Sequence, residues 1–452
     1  MKKIIAFILL FLAALQQASA AKRFVDPNIM PNTVSNTYAT LQAAWYSAAN
    51  GDTLLLRPGT YNIGTLTIDR GVSIQPDTLY GSVTLTGNFS INNNLSKISL
   101  MNLNITGSLS GGIGSDLLIL GCSINSVSVY GAIDKKANII DSKINSNVSL
   151  QTIDCGIFQS NIAGDITMNH GKVIASKCNN LTCEWAQQMN DTSDKNLFIA
   201  DTITGYFDYK GQDRIAIIAN NLINELRMVS WNYTVSRENL IWNNEFYNES
   251  KFSFAIKNVP AYNLDFSNNV FSNINIPSTL QWISCYCSGV PNTNVSDYLF
   301  FGSYNLSSIN YSGQCAGYYM PPCNYSLTLL WSNNSIANWS YVNQISSIPG
   351  VFKWTYNGSA IGNTNGSGSF PITNIAGTTN IVDAGNPDPK YMDIDMTVND
   401  RGRLGGPYSI LNYNSTLNPS NGRAYIYDIE LPEVISSPTQ PIQIKASGYH
   451  RN

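Results

Sequence analysis

Apolar and polar positions along this chain repeat in a loose unit between residues 119 and 270. Each copy has two or three apolar residues, then one or two small or polar residues, then another apolar residue. The copies follow at steps of roughly 16 to 25 residues, which suits one turn of a coil of stacked strands with variable corners. The repeat therefore predicts an all-β solenoid. The copies span 119–124, 139–144, 157–162, 173–178, 198–203, 217–222, 240–246 and 264–270.

Pairs of asparagines stand in the last three copies, at 220–221, 243–244 and 268–269. Neighbouring strands of a sheet lie about 4.8 Å apart, so equivalent corner residues of successive turns stack on one another. Stacked amides hydrogen-bond to the copies above and below them. These asparagines therefore predict ladders that hold the corners rather than a ligand site.

The start of the coil has its own pattern. Residues 38–50 predict a short amphipathic helix, Gly51 and Asp52 predict a tight turn, and residues 53–56 predict an apolar strand. A helix at this position covers the open end of a solenoid. The segment GDTLLLRPGTY, from Gly51 to Tyr61, resembles the N-terminal part of right-handed parallel β-helix proteins, the pectin-lyase-like superfold. The alternative is an antiparallel β-sandwich, for which turn signals roughly every 8 to 12 residues are typical; the wider repeat favours the coil.

A second segment, DAGNPDPKYMDIDMTVNDRGRLGGP at residues 383–407, resembles the end of a group of exported bacterial right-handed β-helix proteins. The pattern of that group reads D-x-G-x-P-x-P, then D-x-D-G, then N-D-x-G-x-x-G-G-P. Met396 stands where the pattern has glycine, the residue that adopts a left-handed conformation at least cost. Arg401 and Arg403 replace apolar and small residues. The resemblance implies a fold and names no single reaction, because function depends on a site.

Four oxygen-bearing residues lie close together in this segment: Asp393, Asp395, Asn399 and Asp400. Clustered carboxylate and carbonyl oxygens are the ligands that Ca²⁺ prefers, so these residues are candidates for a structural calcium site. The alternative is a hydrogen-bonded turn in which the same side chains accept from backbone N–H groups. No cofactor is expected to be required.

Five segments are predicted along the chain. Residues 1–20 have the charged start, apolar core and small-residue end of a secretory signal peptide. Their apolar core is shorter than the about 20 residues of a membrane span, which is the alternative. We therefore expect a mature protein outside the cytoplasm, periplasmic, on the cell surface or released, with no membrane span. The remaining segments are 21–52 with the capping helix, 53–278 with the β-helix turns, 279–382 with loops and the last turns, and 383–452 as a closing segment with one or two strands.

Charge and cysteine content narrow the possible partners. Only 12% of residues are charged and the net charge is −3, so the basic stripe of a nucleic-acid-binding protein is absent. Eight cysteines in an exported chain suggest disulfides, with Cys178–Cys183 and Cys315–Cys323 as candidate local pairs. Buried thiols are the main alternative. Zinc binding is disfavoured because Cys285 and Cys287 lack the usual ligand spacing and the only histidines of the sequence are His170 and His450.

Residues 279–350 are rich in tyrosine, tryptophan, asparagine and serine. Aromatic faces stack on sugar rings, so this region holds candidate contacts for a polysaccharide or cell-surface glycan. The alternative is aromatic packing over the end of the coil. The candidate glycan contacts are Trp282, Tyr286, Tyr298, Tyr318 and Tyr319.

No residue is assigned a catalytic role. The Asn-Thr-Asp, Gly-His-Gly and Arg-Ile-Lys motifs of the hydrolases that share the resembled fold are absent. We therefore favour a non-enzymatic secreted or surface protein that acts in adhesion or glycan binding. The alternative is a carbohydrate-active, polysaccharide-lyase-like enzyme, which an arginine close to several carboxylates would favour. A set of charged residues falls on two consecutive turns, and we interpret these residues as ordinary solvated charges at the corners. The set comprises Asp201, Asp208, Lys210, Asp213, Arg214, Glu225 and Arg227.

Overall fold

The computed structural model of the chain divides into two units, Met1–Asp154 and Cys155–Asn452. In the described part of the chain, strands dominate both units and only one helix occurs. No described helix is long and apolar enough to cross a membrane. The structure describes residues 20–28, 35–77, 81–92, 97–131, 135–151, 154–184, 195–210, 216–230, 237–256, 261–267, 269–275, 279–280, 298–301, 326–332, 335–340, 344–345, 351–356, 359–364, 383, 385, 387, 391–393, 396–400, 402–409, 424–430 and 445–450.

Strands of the first unit alternate along the chain between two parallel sheets. These strands are β1 (Lys22–Val25), β2 (Thr37–Tyr38), β3 (Thr53–Leu56), β4 (Gly59–Ile68), β5 (Ser73–Pro76), β6 (Val83–Asn92), β7 (Ile98–Met101), β8 (Asn104–Ile113), β9 (Leu117–Leu120), β10 (Ser123–Gly131), β11 (Lys136–Ile140), β12 (Lys143–Ile144) and β13 (Val148–Gln151). Sheet A has the order β2-β1-β3-β5-β7-β9-β11. Sheet B has the order β4-β6-β8-β10, and β10 also pairs with β12 and β13.

The core of the first unit is built from columns of like side chains. Side chains alternate along a strand, so every second one points inward and stacks on the equivalent residue of the next turn. No member of the two columns is more than 1% exposed, and full burial of such a side chain contributes about 1.5–3 kcal/mol. One column is Ile74, Leu100, Ile119 and Ile139; the other is Leu85, Ile105, Ile124 and Ile144.

The single described helix, α1 (Leu41–Ser47), lies between β2 and β3. Thr40 caps it, because its hydroxyl oxygen accepts from the N–H of Ala43 at 3.2 Å. Leu41, Ala44 and Trp45 are buried. The predicted helix is confirmed with narrower bounds than 38–50. The residues before it add to the coil, since β1 pairs in parallel with β3.

The predicted turn at Gly51 and Asp52 is fixed by the Asp52 carboxylate. It accepts from the N–H groups of Ala21 at 2.8 Å and Ala49 at 2.9 Å, and from Nε of Arg23 at 2.8 Å. Burial opposes the charged form, but these backbone hydrogen bonds and Arg23 outweigh it and lower the pKa of Asp52. The turn therefore joins β1, α1 and β3 through one side chain.

Strands of the second unit repeat the alternation between two sheets. They are β14 (Asp154–Phe158), β15 (Asn161–Ile162), β16 (Ile166–Met168), β17 (Gly171–Ile174), β18 (Lys177–Cys178), β19 (Leu181–Cys183), β20 (Asn196–Ile199), β21 (Thr202–Tyr209), β22 (Ala216–Ala219), β23 (Leu222–Ser230), β24 (Arg237–Trp242), β25 (Glu245–Ile256), β26 (Ala261–Ser267), β27 (Val270–Asn275), β28 (Thr279–Leu280), β29 (Tyr298–Phe301), β30 (Ser326–Ser332), β31 (Ser335–Ser340), β32 (Gln344–Ile345), β33 (Val351–Tyr356), β34 (Ser359–Thr364), β35 (Ala424–Glu430) and β36 (Lys445–His450).

Parallel pairing again joins successive turns of the second unit. Sheet C has the order β14-β17-β20-β22-β24-β26-β30-β33, and sheet D runs through β19-β21-β23-β25-β27-β31. Antiparallel pairs occur at the margins: β29 on β25, β34 on β33, and β35 with β36. The parallel β-helix is therefore confirmed, and the antiparallel sandwich does not describe these sheets. The closing segment, for which one or two strands were predicted, contains β35 and β36.

One left-handed residue turns the chain at each of the five corners that follow β14, β17, β20, β22 and β24. The residue that follows it is buried and, in these turns, polar. The steps range from 16 residues between Gln159 and Ala175 to 25 between Ala175 and Ala200, as the repeat predicts. The left-handed residues are Gln159, Ala175, Ala200, Asn220 and Asn243, with φ from 49° to 59°. The buried residues that follow are Ser160, Ser176, Asp201, Asn221 and Asn244.

Strand register corrects the alignment of the last three copies of the repeat. Ile218, Ile241 and Phe266 continue the column of Phe198, whereas the predicted alignment had Ile217, Leu240 and Leu264 there. The error arose because Ile217 and Leu240 are also apolar, so neighbouring residues fit the inward position equally well.

The cysteines correct another prediction. Cys178 lies in β18 and pairs in register with Ile203, whereas Cys183 ends β19, where its thiol lies 3.1 Å from the carbonyl oxygen of Asn169. Both are buried, reduced cysteines, so the predicted Cys178–Cys183 disulfide is not present. Their separate inward positions on two different strands explain this. The predicted Cys315–Cys323 pair lies outside the described residues.

Candidate functional site

On the outer face of sheet B, the strands β4, β6, β8 and β10 carry hydroxyl and amide side chains at regular spacing. No residue of β4, β6, β8 or β10 is charged. Side chains of neighbouring strands hydrogen-bond across the face: Ser126 Oγ donates to Ser108 Oγ at 2.8 Å, and Asn104 Nδ2 donates to Thr84 Oγ1 at 3.3 Å. One column of hydroxyls crosses five strands in register and comprises Thr67, Ser90, Ser110, Ser128 and Ser149.

An exposed tyrosine stands at the end of this face. Tyr130 is the last residue but one of β10, points outward and is 60% exposed. Its register partner on β8 is Gly112. A Cβ at position 112 would lie 3.0 Å from Cε2 and 3.3 Å from Cζ of Tyr130. The ring edge therefore lies over a position that has no side chain.

Asparagine side chains in the second unit form the predicted ladder. Asn221 Nδ2 donates to Asn244 Oδ1, and Asn244 Nδ2 donates to Asn269 Oδ1, each at 3.0 Å. Every amide also donates at 2.8 Å to a carbonyl of the preceding turn, respectively Phe198, Ile218 and Ile241. The prediction of a structural ladder is confirmed for these three residues, and they are not available to a ligand.

Asp201 stands one turn before this ladder at the equivalent corner position. Its Oδ1 accepts from the N–H of Ser176 at 2.8 Å, and its own N–H donates to Asn221 Oδ1 at 2.7 Å. Oδ2 is buried without a hydrogen-bond partner. Burial raises the pKa of Asp201 well above its ordinary value, despite backbone hydrogen bonds that favour the charged form. Asp201 is thus a buried carboxyl whose protonated form is favoured by burial, which corrects its interpretation as solvated charge.

The other charged residues on these turns come together on the outer face of sheet D. Arg227 donates to both carboxylate oxygens of Glu225, at 2.8 and 3.1 Å, and its guanidinium lies 4.3 Å from the ring centroid of Tyr206. Lys210 Nζ lies 3.2 Å from Glu184 and 3.4 Å from Asp208.

Asp208 is, like Glu225, a partly buried member of this charged cluster. It is in register with Arg227 on the neighbouring strand. Burial raises the pKa of Asp208, although Lys210 and Arg227 oppose that rise. An arginine therefore shares one face with several carboxylates. Asp213 and Arg214, also predicted for this cluster, lie outside the described residues.

The C-terminal signature segment packs against the corners of the second unit. Asn243 Nδ2 lies 2.9 Å from Asn399 Oδ1 and 3.0 Å from the carbonyl oxygen of Asp400. One turn earlier, Asn220 Nδ2 donates to the carbonyls of Arg403, at 3.1 Å, and Gly405. Asn220 and Asn243, the first residues of two pairs, thus hold this segment, whereas Asn221 and Asn244 belong to the ladder; Asn268 lies outside the described residues.

Aromatic and charged contacts complete this attachment. The rings of Trp242 and Tyr391 meet edge to face, with centroids 4.8 Å apart. Arg403 Nε lies 3.1 Å from a carboxylate oxygen of Glu245. A Cβ at Gly406 would approach Nδ2 of Asn243 to 3.0 Å, so glycine permits this close packing.

The residues predicted to bind calcium are engaged mainly with the backbone. Asp393 accepts from the N–H groups of Asp400, at 3.1 Å, and Gly406. Asp400 Oδ1 accepts from the N–H of Asp383 at 2.8 Å, and Asn399 donates to the carbonyl of Tyr391. Such contacts are typical of a hydrogen-bonded turn, which the sequence offered as the alternative to a calcium site.

The calcium site itself stays a prediction, and Asp395 lies outside the described residues. Among the residues that the structure describes, no group of three or more histidine, cysteine or acidic side chains is placed to hold a metal. Met396 has φ 66° and is 73% exposed. It adopts the left-handed conformation that the resembled pattern assigns to glycine, with its side chain directed to solvent.

The predicted aromatic glycan contacts are not placed by the structure. Trp282, Tyr286, Tyr318 and Tyr319 lie outside the described residues; Tyr298 begins β29, but its side chain is not described. Sequence reasoning missed Tyr130 and the hydroxyl face. The signal that could have found them is the alternation of threonine, serine and asparagine with apolar residues in 60–67, 84–92, 104–110 and 123–130.

Three structural features carry polar or charged groups: the hydroxyl face with Tyr130, the charged cluster around Arg227, and the C-terminal segment bound at the corners. The polar groups of the C-terminal segment are engaged in its own hydrogen bonds. The hydroxyl face and the charged cluster expose groups that a ligand can reach. Comparison with known proteins finds no matching family, curated protein or solved structure for this chain.

Proposed function

We propose that this protein is a non-enzymatic, secreted or surface-exposed β-helix that binds a polysaccharide or another glycan, for example in adhesion. The observation that carries the proposal is the outer face of sheet B, where hydroxyl and amide side chains stand in register on β4, β6, β8 and β10. The predicted signal peptide supports a location outside the cytoplasm.

The chemistry of this face suits sugars. A hydroxyl or a carboxamide both donates and accepts hydrogen bonds, as the hydroxyl groups of a sugar do. Strands about 4.8 Å apart, with outward residues about 6.6 Å apart along each strand, give a regular array of such groups. A regular array suits a polymer whose hydroxyl groups also repeat. Ser110 and Ser128 lie in the middle of the array and are exposed.

Binding of the purified mature protein to a glycan array, followed by titration calorimetry on any hit, tests the proposal. We expect Ser110→Glu to weaken binding at least tenfold, because the longer charged side chain covers neighbouring hydroxyls. Ser47→Glu, on an exposed position of α1 and not on a strand of sheet B, is the matched control and should bind as the wild type does. An array without hits would contradict the proposal, and so would equal binding by Ser110→Glu.

A second candidate function is a carbohydrate-active enzyme of the polysaccharide-lyase type. The observation that favours it is the cluster in which Arg227 shares a face with Glu225 and Asp208. A lyase needs a cationic or basic group beside the carboxylates that handle a uronate substrate. Against it, Arg227 is already engaged by both oxygens of Glu225.

Incubation with uronate polysaccharides and Ca²⁺, monitored by the ultraviolet absorbance of unsaturated uronates, distinguishes the two functions. A steady rise that a chelator abolishes, and that Arg227→Gln removes, would establish the enzyme. A flat trace together with glycan binding is the result that we expect.

A further inference from the structure

We infer that Tyr130 and Gly112 form a subsite for one ring of an uncharged polysaccharide. The inference rests on the proposed glycan-binding function and makes it more specific. It assigns both a place on the hydroxyl face and a ligand class, a polymer of neutral sugars rather than of uronates.

The place follows from the geometry of Tyr130. The ring is 60% exposed, although the other large side chains of its strand are buried. Gly112 is buried, and a Cβ there would come within 3.0 Å of the ring, closer than most such contacts allow. Glycine at 112 therefore lets the tyrosine lie against the backbone of β8. The remaining surface of the ring faces solvent at the level of the sheet.

The neighbours of Tyr130 supply hydrogen-bonding groups. Ser128 precedes it by two residues on the same face, and Ser110 stands beside Ser128 on β8. Gln151 is the register partner on β13 and is exposed. A sugar ring stacked on Tyr130 would thus lie near the hydroxyl groups of Ser110 and Ser128 and the amide group of Gln151. Aromatic side chains combine an apolar face with a polar tip, which matches the mixed surface of a sugar.

The ligand class follows from charge. Binding of a polyuronate requires cationic groups to offset its carboxylates, and β4, β6, β8 and β10 contain none. The exposed lysine of the neighbouring strand β12, Lys143, is in register with Ser123, at the opposite end of β10 from Tyr130. An uncharged face binds without electrostatic attraction, so its affinity should change little with salt. The charged cluster of the second unit is the contrasting surface, since Arg227 and Lys210 lie there.

Titration calorimetry with the full mature chain tests this inference. The probes are neutral oligosaccharides of glucose, mannose and xylose, with oligogalacturonate as the charged comparison. We expect Tyr130→Ala to weaken binding of a neutral oligosaccharide at least tenfold and Tyr130→Phe to keep it within about threefold, a tenfold change being about 1.4 kcal/mol. Tyr46→Ala is the matched control, because Tyr46 is 78% exposed but lies on α1.

The outcomes separate this subsite from the general function. If neutral oligosaccharides bind the wild type and Tyr130→Ala equally, the subsite is wrong while glycan binding stands. If only oligogalacturonate binds, with a strong salt dependence, the neutral ligand class is wrong. If no oligosaccharide and no array glycan binds, the proposed function fails and this inference fails with it. Equal denaturation midpoints of Tyr130→Ala and the wild type confirm that a loss of binding is not a loss of folding.

Discussion

The buried carboxyl of Asp201 leads to a prediction about stability. In the next turns, the equivalent side chains are asparagines whose Nδ2 donates to a carbonyl of the preceding turn and to the next amide oxygen. Asp201 places an oxygen without a partner there. Asp201→Asn supplies the missing donor and extends the ladder by one turn. With two new hydrogen bonds at about 0.5–1.5 kcal/mol each, the substitution should stabilise the fold by about 1–3 kcal/mol at pH 7.

The effect should also depend on pH, in a defined direction. The folded-state pKa of Asp201 lies well above its ordinary value of 3.8, so the folded protein holds this proton more tightly than the unfolded chain. The contribution of the neutral carboxyl to stability is therefore fully present below about pH 3.8 and is lost as the pH rises through the folded-state pKa. Because Asp201→Asn does not titrate, the advantage of the variant should be smallest near pH 4 and should grow toward neutral pH.

Denaturation in urea, followed by circular dichroism at pH 4, 5.5 and 7, measures both effects as differences in midpoint between variant and wild type. Asn221→Asp is the reciprocal control, since it places a carboxyl one turn further along the same ladder and should destabilise the fold with the same pH trend. An Asp201→Asn variant that is no more stable at pH 7, or whose advantage is the same at every pH, would refute the reasoning.

Three further predictions concern glycine packing, the signature segment and a buried thiol. Gly171→Ala should destabilise the fold by at least about 1–3 kcal/mol, because φ at this position is 137° and the added Cβ would collide with the carbonyl of Cys155. Gly64→Ala, which has open space around the added Cβ, should destabilise the fold less, and urea denaturation midpoints of the two variants measure the difference. Asn243→Ala should release the signature segment to limited proteolysis, and cleavage no faster than in the wild type would contradict its role. Cys122, whose pKa burial raises to about 12, should resist iodoacetamide at pH 8 in the native protein and react after unfolding, as peptide mass spectrometry can show.

Much of the fold follows from short-range pattern, which is why the sequence predicts it. Each inward residue is determined by its own strand, and each corner by a left-handed residue and a buried polar one, so successive turns repeat a local signal. The phase of that signal is less certain where two neighbours are both apolar, as at Ile217 and Ile218. Register then depends on which neighbour meets Phe198 of the preceding turn, and that contact is not visible in one copy alone.

The candidate sites were harder to predict because they depend on residues that are distant in sequence or chemically ordinary. Asn243 donates a hydrogen bond to Asn399, which lies 156 residues later in the chain, and no local sequence pattern predicts that contact. Ser110 and Ser128 are common surface residues whose significance comes from their alignment on neighbouring strands. Conversely, the acidic residues that suggested a calcium site are individually unusual, yet Asp393 and Asp400 accept from backbone N–H groups.

The paired asparagines show how one residue type serves two purposes at adjacent positions. Asparagine tolerates the left-handed conformation better than most residues do, so it suits the first position of each corner. The second position needs a side chain that both donates and accepts within the core, which again favours asparagine. Ala175 and Ala200 adopt the same left-handed conformation but have no side-chain donor, whereas Asn220 and Asn243 direct theirs to the signature segment. The left-handed asparagines of the corners, and not the asparagines of the ladder, therefore determine where that segment attaches.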